Sequence, residues 1–177
     1  SKVILSTPRF PYPSGPFPYQ SEAYENWLKN GYQGMFAMAT GTGKTRTAFN
    51  IIWRLWKTGK AKRILFLADR NILVDQTMIN DFKPFGSVMT KLNRSLVDRD
   101  NGKVDTSYEI YLALYQAIMG GEDLEPIYNK FPPDFFDLVV IDECHRGSAA
   151  DDATWKTILN YFDSAIQIGM TATPRET

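Results

Sequence analysis

Apolar residues in this chain fall into short, nearly continuous runs, and the segments between them carry apolar residues at helical spacing. The runs at 35–39, 63–68, 135–141 and 165–170 each predict a buried strand. Residues 87–91 predict a further strand, and 109–114 another strand or its edge. Between these, 45–58 places Ala48, Ile51, Ile52 and Leu55 along a helix. Residues 71–83 and 153–162 also read as helices, as do 19–30, where Ala23, Trp27 and Leu28 share a side and Gly31 is a stop. Residues 95–106 are polar and hold the turn signal Asp100-Asn101-Gly102, and 120–134 are punctuated by glycine and proline. Pro8, Pro11, Pro13, Pro16 and Pro18 forbid a regular helix, so 1–18 reads as an extended lead-in or linker. Strands alternating with helices predict an α/β domain over 19–177, with a mostly parallel sheet covered by helices on both faces.

Composition sets outer bounds. The 177 residues, 44% hydrophobic and 14% aromatic, suffice for one well-filled core and exclude a wholly disordered chain. Twenty basic residues balance twenty acidic ones, which argues against a purely electrostatic nucleic-acid coat but leaves local phosphate contacts open. The single cysteine, Cys144, excludes an internal disulfide and a multi-cysteine metal cluster, and fits a reducing, cytoplasmic setting. No apolar run reaches the roughly 18 residues of a membrane span. The first residues, Ser1-Lys2-Val3, and the last, Thr177, look like cuts in a longer chain.

Two stretches carry chemistry. Ala39-Thr40-Gly41-Thr42-Gly43-Lys44-Thr45 lies between a predicted strand and a predicted helix and fits a phosphate-cradling loop whose first glycine is replaced by alanine. Gly41 and Gly43 let the backbone curl so that its N–H groups face phosphates, and the helix start adds a positive terminus. Lys44 would reach the β and γ phosphates of ATP, and Thr45 would give a hydroxyl to Mg2+. The second stretch, Asp142-Glu143, leaves the apolar run Leu138-Val139-Val140-Ile141 where ligands bind in parallel sheets. Asp142 suits Mg2+ and Glu143 the attacking water. Cys144 beside His145 makes a poor metal set, and adjacency in sequence does not aim the two at each other. His145 is read instead as a link between the nucleotide site and other motifs, with a structural histidine as the alternative.

Together these residues resemble the first motor domain of a superfamily 2 helicase or translocase, and more narrowly the motor subunit of Type I restriction enzymes. The stretches that carry the resemblance are ATGTGKTRT (39–47), FLADRNILVDQ (66–76), DECHRGSA (142–149), Tyr19-Gln20 and GMTATP (169–174). The resemblance implies a RecA-like P-loop NTPase fold, with Thr40, Gly41, Thr42, Gly43, Lys44, Thr45 and Arg46 around ATP. It implies that Gln20 reads adenine, although Phe17 stands where an arginine is usual. Asp69 and Arg70 would face the DNA track, or form a solvated pair at a helix start. Gln116 would also face the track, although Leu114 replaces the usual Thr or Ser. Thr171 and Thr173 would couple ATP state to DNA grip. Arg146 is as readily a surface ion-pair residue as a functional one.

The resemblance further implies ATP-dependent movement along double-stranded DNA, with modification and specificity subunits as partners. A nuclease domain and a second, arginine-bearing motor domain would lie elsewhere in the same full-length chain. Without those arginines this piece alone is expected to turn over ATP slowly or not at all. Two other readings stay open: another superfamily 2 motor (an RNA helicase or a Type III restriction motor), and a nucleotide-binding interaction module without turnover.

Overall fold

The computed structural model describes residues 34–37, 44–68, 80, 82–99, 101–120, 125–142 and 156–171. In chain order these form strand β1 (Gly34–Ala37), helix α1 (Lys44–Lys57), β2 (Ile64–Ala68), β3 (Met89–Leu92), α2 (Arg94–Arg99), β4 (Ile110–Leu114), α3 (Tyr115–Met119), β5 (Leu138–Asp142), helix α4 (156–161) and β6 (Ile166–Thr171). The strands build one six-stranded sheet in the order β1-β6-β5-β2-β4-β3. Every pairing in it is parallel.

The continuous apolar runs become strands because a central parallel strand is covered on both faces. All five residues of β2 are fully buried. Its side chains then divide by parity. Ile64, Phe66 and Ala68 join Ile110, Leu112, Leu138, Val140 and Ile168 against Phe49, Ile52 and Leu55 of α1. Leu65 and Leu67 join Tyr111, Ala113, Val139 and Ile141 against Ile158 of α4 and the following Phe162. A slip of one residue would exchange the two faces, so burial on both sides fixes the register. That register is Ile64 opposite Ile110 on one side and Leu138 on the other.

Aromatic rings fill both layers. Under α1, Phe49, Phe66, Phe82 and Phe85 lie with ring centroids 5.3 to 5.8 Å apart. On the other face Tyr111 meets Phe131 and Phe136 edge-on at 5.4 and 5.5 Å, and Phe136 meets Phe162 at 5.0 Å. Such contacts add about 0.5–1.5 kcal/mol per pair beyond area burial.

Element boundaries depart from the sequence reading in instructive places. The strand expected from 135 begins at Leu138. Phe135 and Phe136 are as buried as strand residues but sit in a turn closed by Phe135 N–H on the Pro132 carbonyl at 3.0 Å. The polar stretch from 95 hides α2, too short to show a period, in which Val97 is buried. The expected turn follows it: Asn101 and Gly102 take φ of 54° and 78°, the left-handed region that Asn and Gly tolerate best. Asn80 is helical as expected, but Lys83 already opens a 3-10 turn, Lys83–Val88, with proline at its start. The strand expected at 87–91 occupies Met89–Leu92 and is the outer strand beside β4. The expected lead-in 1–18 and helix 19–30 lie outside the described residues.

Candidate nucleotide-binding site

Because the six strands run one way, their carboxyl ends, from Ala37 to Thr171, reach the same edge of the sheet. Ligands of open parallel sheets bind outside that edge. Five of the six ends carry the candidate residues or precede them directly in sequence. In the chain, residues 39–46 follow β1, Asp69 and Arg70 follow β2, Gln116 follows β4, Asp142 ends β5 with Glu143 and His145 next in sequence, and Thr171 ends β6 with Thr173 next in sequence.

Strand order then decides which ends are neighbours. β6 and β5 are inserted between β1 and β2, so the strand preceding the glycine-rich loop lies next to the strand that ends at Thr171, and that strand lies next to the one that ends at Asp142. Ala37 pairs with Thr171, and Met170 with Asp142. Three adjacent strands span roughly 10 Å, so the backbone gathers Ala37, Thr171 and Asp142 within the reach of one triphosphate. Gln116 stands apart, in the first turn of α3 beyond β2, on the same edge.

Lys44, Thr45 and Arg46 form the first turn of α1, whose 14 residues cross the sheet and end near the start of β2. A helix start presents unpaired N–H groups and the positive end of the macrodipole. No acidic residue occupies this first turn, while Arg54 and Lys57 sit in the last one, where cations suit the negative end. The first turn therefore sets no charge of its own against an anion, and the donor set fits a phosphate. The far end is closed: Thr58 N–H and hydroxyl both donate to the Arg54 carbonyl at 3.1 and 2.7 Å, and Gly59 turns the chain at φ 71°.

Among the described residues no three His, Cys, Asp or Glu side chains cluster as a metal cage. Mg2+ does not require one, since one or two carboxylates, phosphates and water usually hold it. Asp142 at the end of β5 fits that sparse role. Gln20, Thr40, Gly41, Thr42, Gly43, Asp69, Arg70, Glu143, His145 and Thr173 lie outside the described residues.

One polar residue escaped the sequence reading. Asn50 is fully buried in α1; its side-chain oxygen accepts from Arg54 Nε at 3.1 Å, while its Nδ2 has no partner. The available signal was the four-residue spacing of Arg46, Asn50 and Arg54, which puts Asn50 in line with two cations amid the apolar run of the helix.

Comparison with known proteins bears on the family and the fold. The family described as "Type III restriction enzyme, res subunit" matches residues 14–176. The Type I restriction enzyme EcoAI endonuclease subunit of Escherichia coli is 57% identical over 163 residues, which are 90% of this chain and 19% of that protein. This chain therefore spans about a fifth of that relative's length. Among solved structures, the Hef helicase domain of Pyrococcus furiosus is 24% identical with a TM-score of 0.65, covering 92% of this chain and 34% of that one. The ATP-dependent Type ISP restriction-modification enzyme LlaBIII, solved bound to DNA, is 24% identical with a TM-score of 0.62, covering 90% and 13%. These two likenesses establish the helicase-like, RecA-like fold.

Proposed function

Since this chain belongs to the family described as "Type III restriction enzyme, res subunit", we propose that it is the ATP-binding half of a double-stranded DNA translocase within a restriction enzyme. The observation that carries the reading is the shared edge of the sheet: the end of β1, which precedes the glycine-rich loop, is separated from the acidic end of β5 only by β6. The 57% identity to a Type I endonuclease subunit supports the Type I assignment. On this reading the modification and specificity subunits, a nuclease domain and a second motor domain complete the machine, which works in the cytoplasm. No described helix is long and apolar enough to cross a membrane.

The roles follow from chemistry. The loop from Thr40 to Gly43, with Lys44, Thr45 and Arg46, holds the phosphates, and Gln20 reads the base. Thr45 and Asp142 hold Mg2+, which neutralises phosphate charge when bound. Glu143 accepts the proton of the attacking water. Asp69, Arg70, Gln116, His145, Thr171 and Thr173 carry the state of the nucleotide to the DNA track.

Glu143→Gln in the full-length protein tests the reading. Nucleotide affinity should persist while phosphate release falls about 10²–10⁴-fold, as for loss of a general base. Unchanged hydrolysis would overturn the assignment. The isolated domain should hydrolyse ATP slowly or not at all, and brisk DNA-stimulated turnover by it alone would contradict a two-domain site. A Type III motor remains the second reading because the family description names that class. Assembly with a specificity subunit, tested by co-purification, separates the two.

A further inference from the structure

The turn at Asn101-Gly102 is announced by the sequence and unused by the nucleotide site. It follows the short helix α2, whose Val97 is buried, and Gly102 N–H donates to the Val97 carbonyl at 2.9 Å. Asn101 is exposed. An asparagine followed by glycine is chemically labile. Its side-chain amide can reach the next backbone nitrogen, and glycine has no Cβ to crowd that approach. In the closed turn the Val97 carbonyl holds the Gly102 N–H, so the nitrogen is free to react only when the last turn of α2 opens. A helix of six residues holds such a turn weakly.

A cation stands beside this turn. A methyl group on Gly102 would lie 3.8 Å from Lys130 Nζ. The Lys130 side chain is 21% exposed, so most of it is held by the fold. Its carboxylate partner, Glu125, lies 3.5 Å from Nζ and is 85% exposed, a pair that solvent weakens. An ammonium group in that place favours the deprotonated Gly102 nitrogen and the oxyanion that forms as it attacks. Asn93 and Asn129 are exposed too, but Arg94 and Lys130 follow them, and the Cβ of each crowds the same approach.

We propose that Asn101-Gly102 is a self-modifying site: Asn101 deamidates through Gly102, and Lys130 promotes the step. Gly102 N–H gives its proton to solvent, and the nitrogen bonds to Asn101 Cγ. The Cγ–Nδ2 bond breaks, and ammonia leaves with a proton taken back from water. Water then opens the five-membered imide at either carbonyl, giving aspartate or isoaspartate. The product carries a new carboxylate at the C-terminal end of α2, where the helix dipole disfavours it. Isoaspartate also adds a carbon to the main chain between Val97 and Gly102, which spoils the register of the bond that closes the helix. Conversion therefore loosens the element that supplies Val97 to the core.

Peptide mapping by mass spectrometry of the full-length protein, aged in mildly alkaline buffer, tests this. Asn101 should convert to aspartate and isoaspartate ahead of Asn93 and Asn129. Lys130→Gln should slow that conversion about fivefold in the folded protein, the effect of one charge about 4 Å away in water. In concentrated denaturant, where Lys130 no longer stands beside Gly102, the same variant should match the wild type. Conversion of Asn93 or Asn129 before Asn101 would overturn the proposal. So would a folded Lys130→Gln protein that converts as fast as the wild type or faster, or one slowed equally in denaturant. Each readout is independent of ATP hydrolysis, so failure here leaves the nucleotide assignment standing, and failure there leaves this one.

Discussion

The two ends of the same strands are built to opposite specifications. At the amino edge the chain satisfies itself. Asp137 accepts the backbone N–H groups of Lys62 and Arg63 at 2.9 and 3.1 Å, and its own N–H returns to the Arg63 carbonyl at 2.8 Å. Ile64 N–H donates to Glu109, Glu109 N–H to Val88, and Ile166 N–H to the Asp137 carbonyl. Arg63 lies over the Phe135 ring at 4.4 Å. At the carboxyl edge α1 opens with no carboxylate in its first turn. A parallel sheet makes this division possible, because one edge can be closed by protein while the other is kept for a ligand.

Mutations at the two edges should therefore separate function from stability. The largest effect belongs to the carboxyl edge. Lys44→Ala in the full-length protein should lower ATP hydrolysis at least ~10²-fold, the scale for losing one charge-stabilising donor, with an unchanged melting temperature. A comparable loss of stability would show that this edge also supports the fold.

At the amino edge the order reverses. Phe136→Ala should cost about 3–5 kcal/mol in denaturant unfolding, because a buried ring leaves a cavity against Tyr111 and Phe162. Asp137→Ala should cost about 1–2 kcal/mol for two lost backbone bonds at an exposed site, with nucleotide affinity of the folded protein unchanged. A loss of affinity would break the division between the edges.

The smallest effect should come from Tyr111→Phe, about 1 kcal/mol near neutral pH for one hydrogen bond. Its signature is alkaline. Burial pushes the Tyr111 hydroxyl from 10.0 to about 12, so the folded state keeps a proton that the unfolded chain releases first. The contribution is fully present below pH 10 and is lost as pH rises through 12. Unfolding titrations should show the wild type losing stability over that window more steeply than Tyr111→Phe.

Much of the fold was legible because both faces of the sheet are covered. Burial on two sides writes apolar runs such as Ile64–Ala68, which no solvent-facing strand would need. Short elements were not legible. α2 has only six residues, too few turns for a period to appear. Phe135 and Phe136 misled for the opposite reason: a turn that packs into the core is as apolar as a strand. Within the site, the order of the motifs was written in the chain, and the structure places Lys44, Thr45, Arg46, Asp142, Gln116 and Thr171 at one edge of the sheet.

The sequence by itself determined the chemistry: a glycine-rich loop before a helix, an acidic pair after an apolar run, and small hydroxyl residues after another. It also determined that the strands would be parallel, since each is followed by a polar or helical crossover too long for a hairpin. The tertiary structure alone decided adjacency. Strand order follows from how side chains of alternating parity share two cores, a non-local property. That order brings β6 and β5 between β1 and β2, so residues more than a hundred positions apart share one edge. It also leaves β3 on the outside of the described sheet, which no local pattern announced.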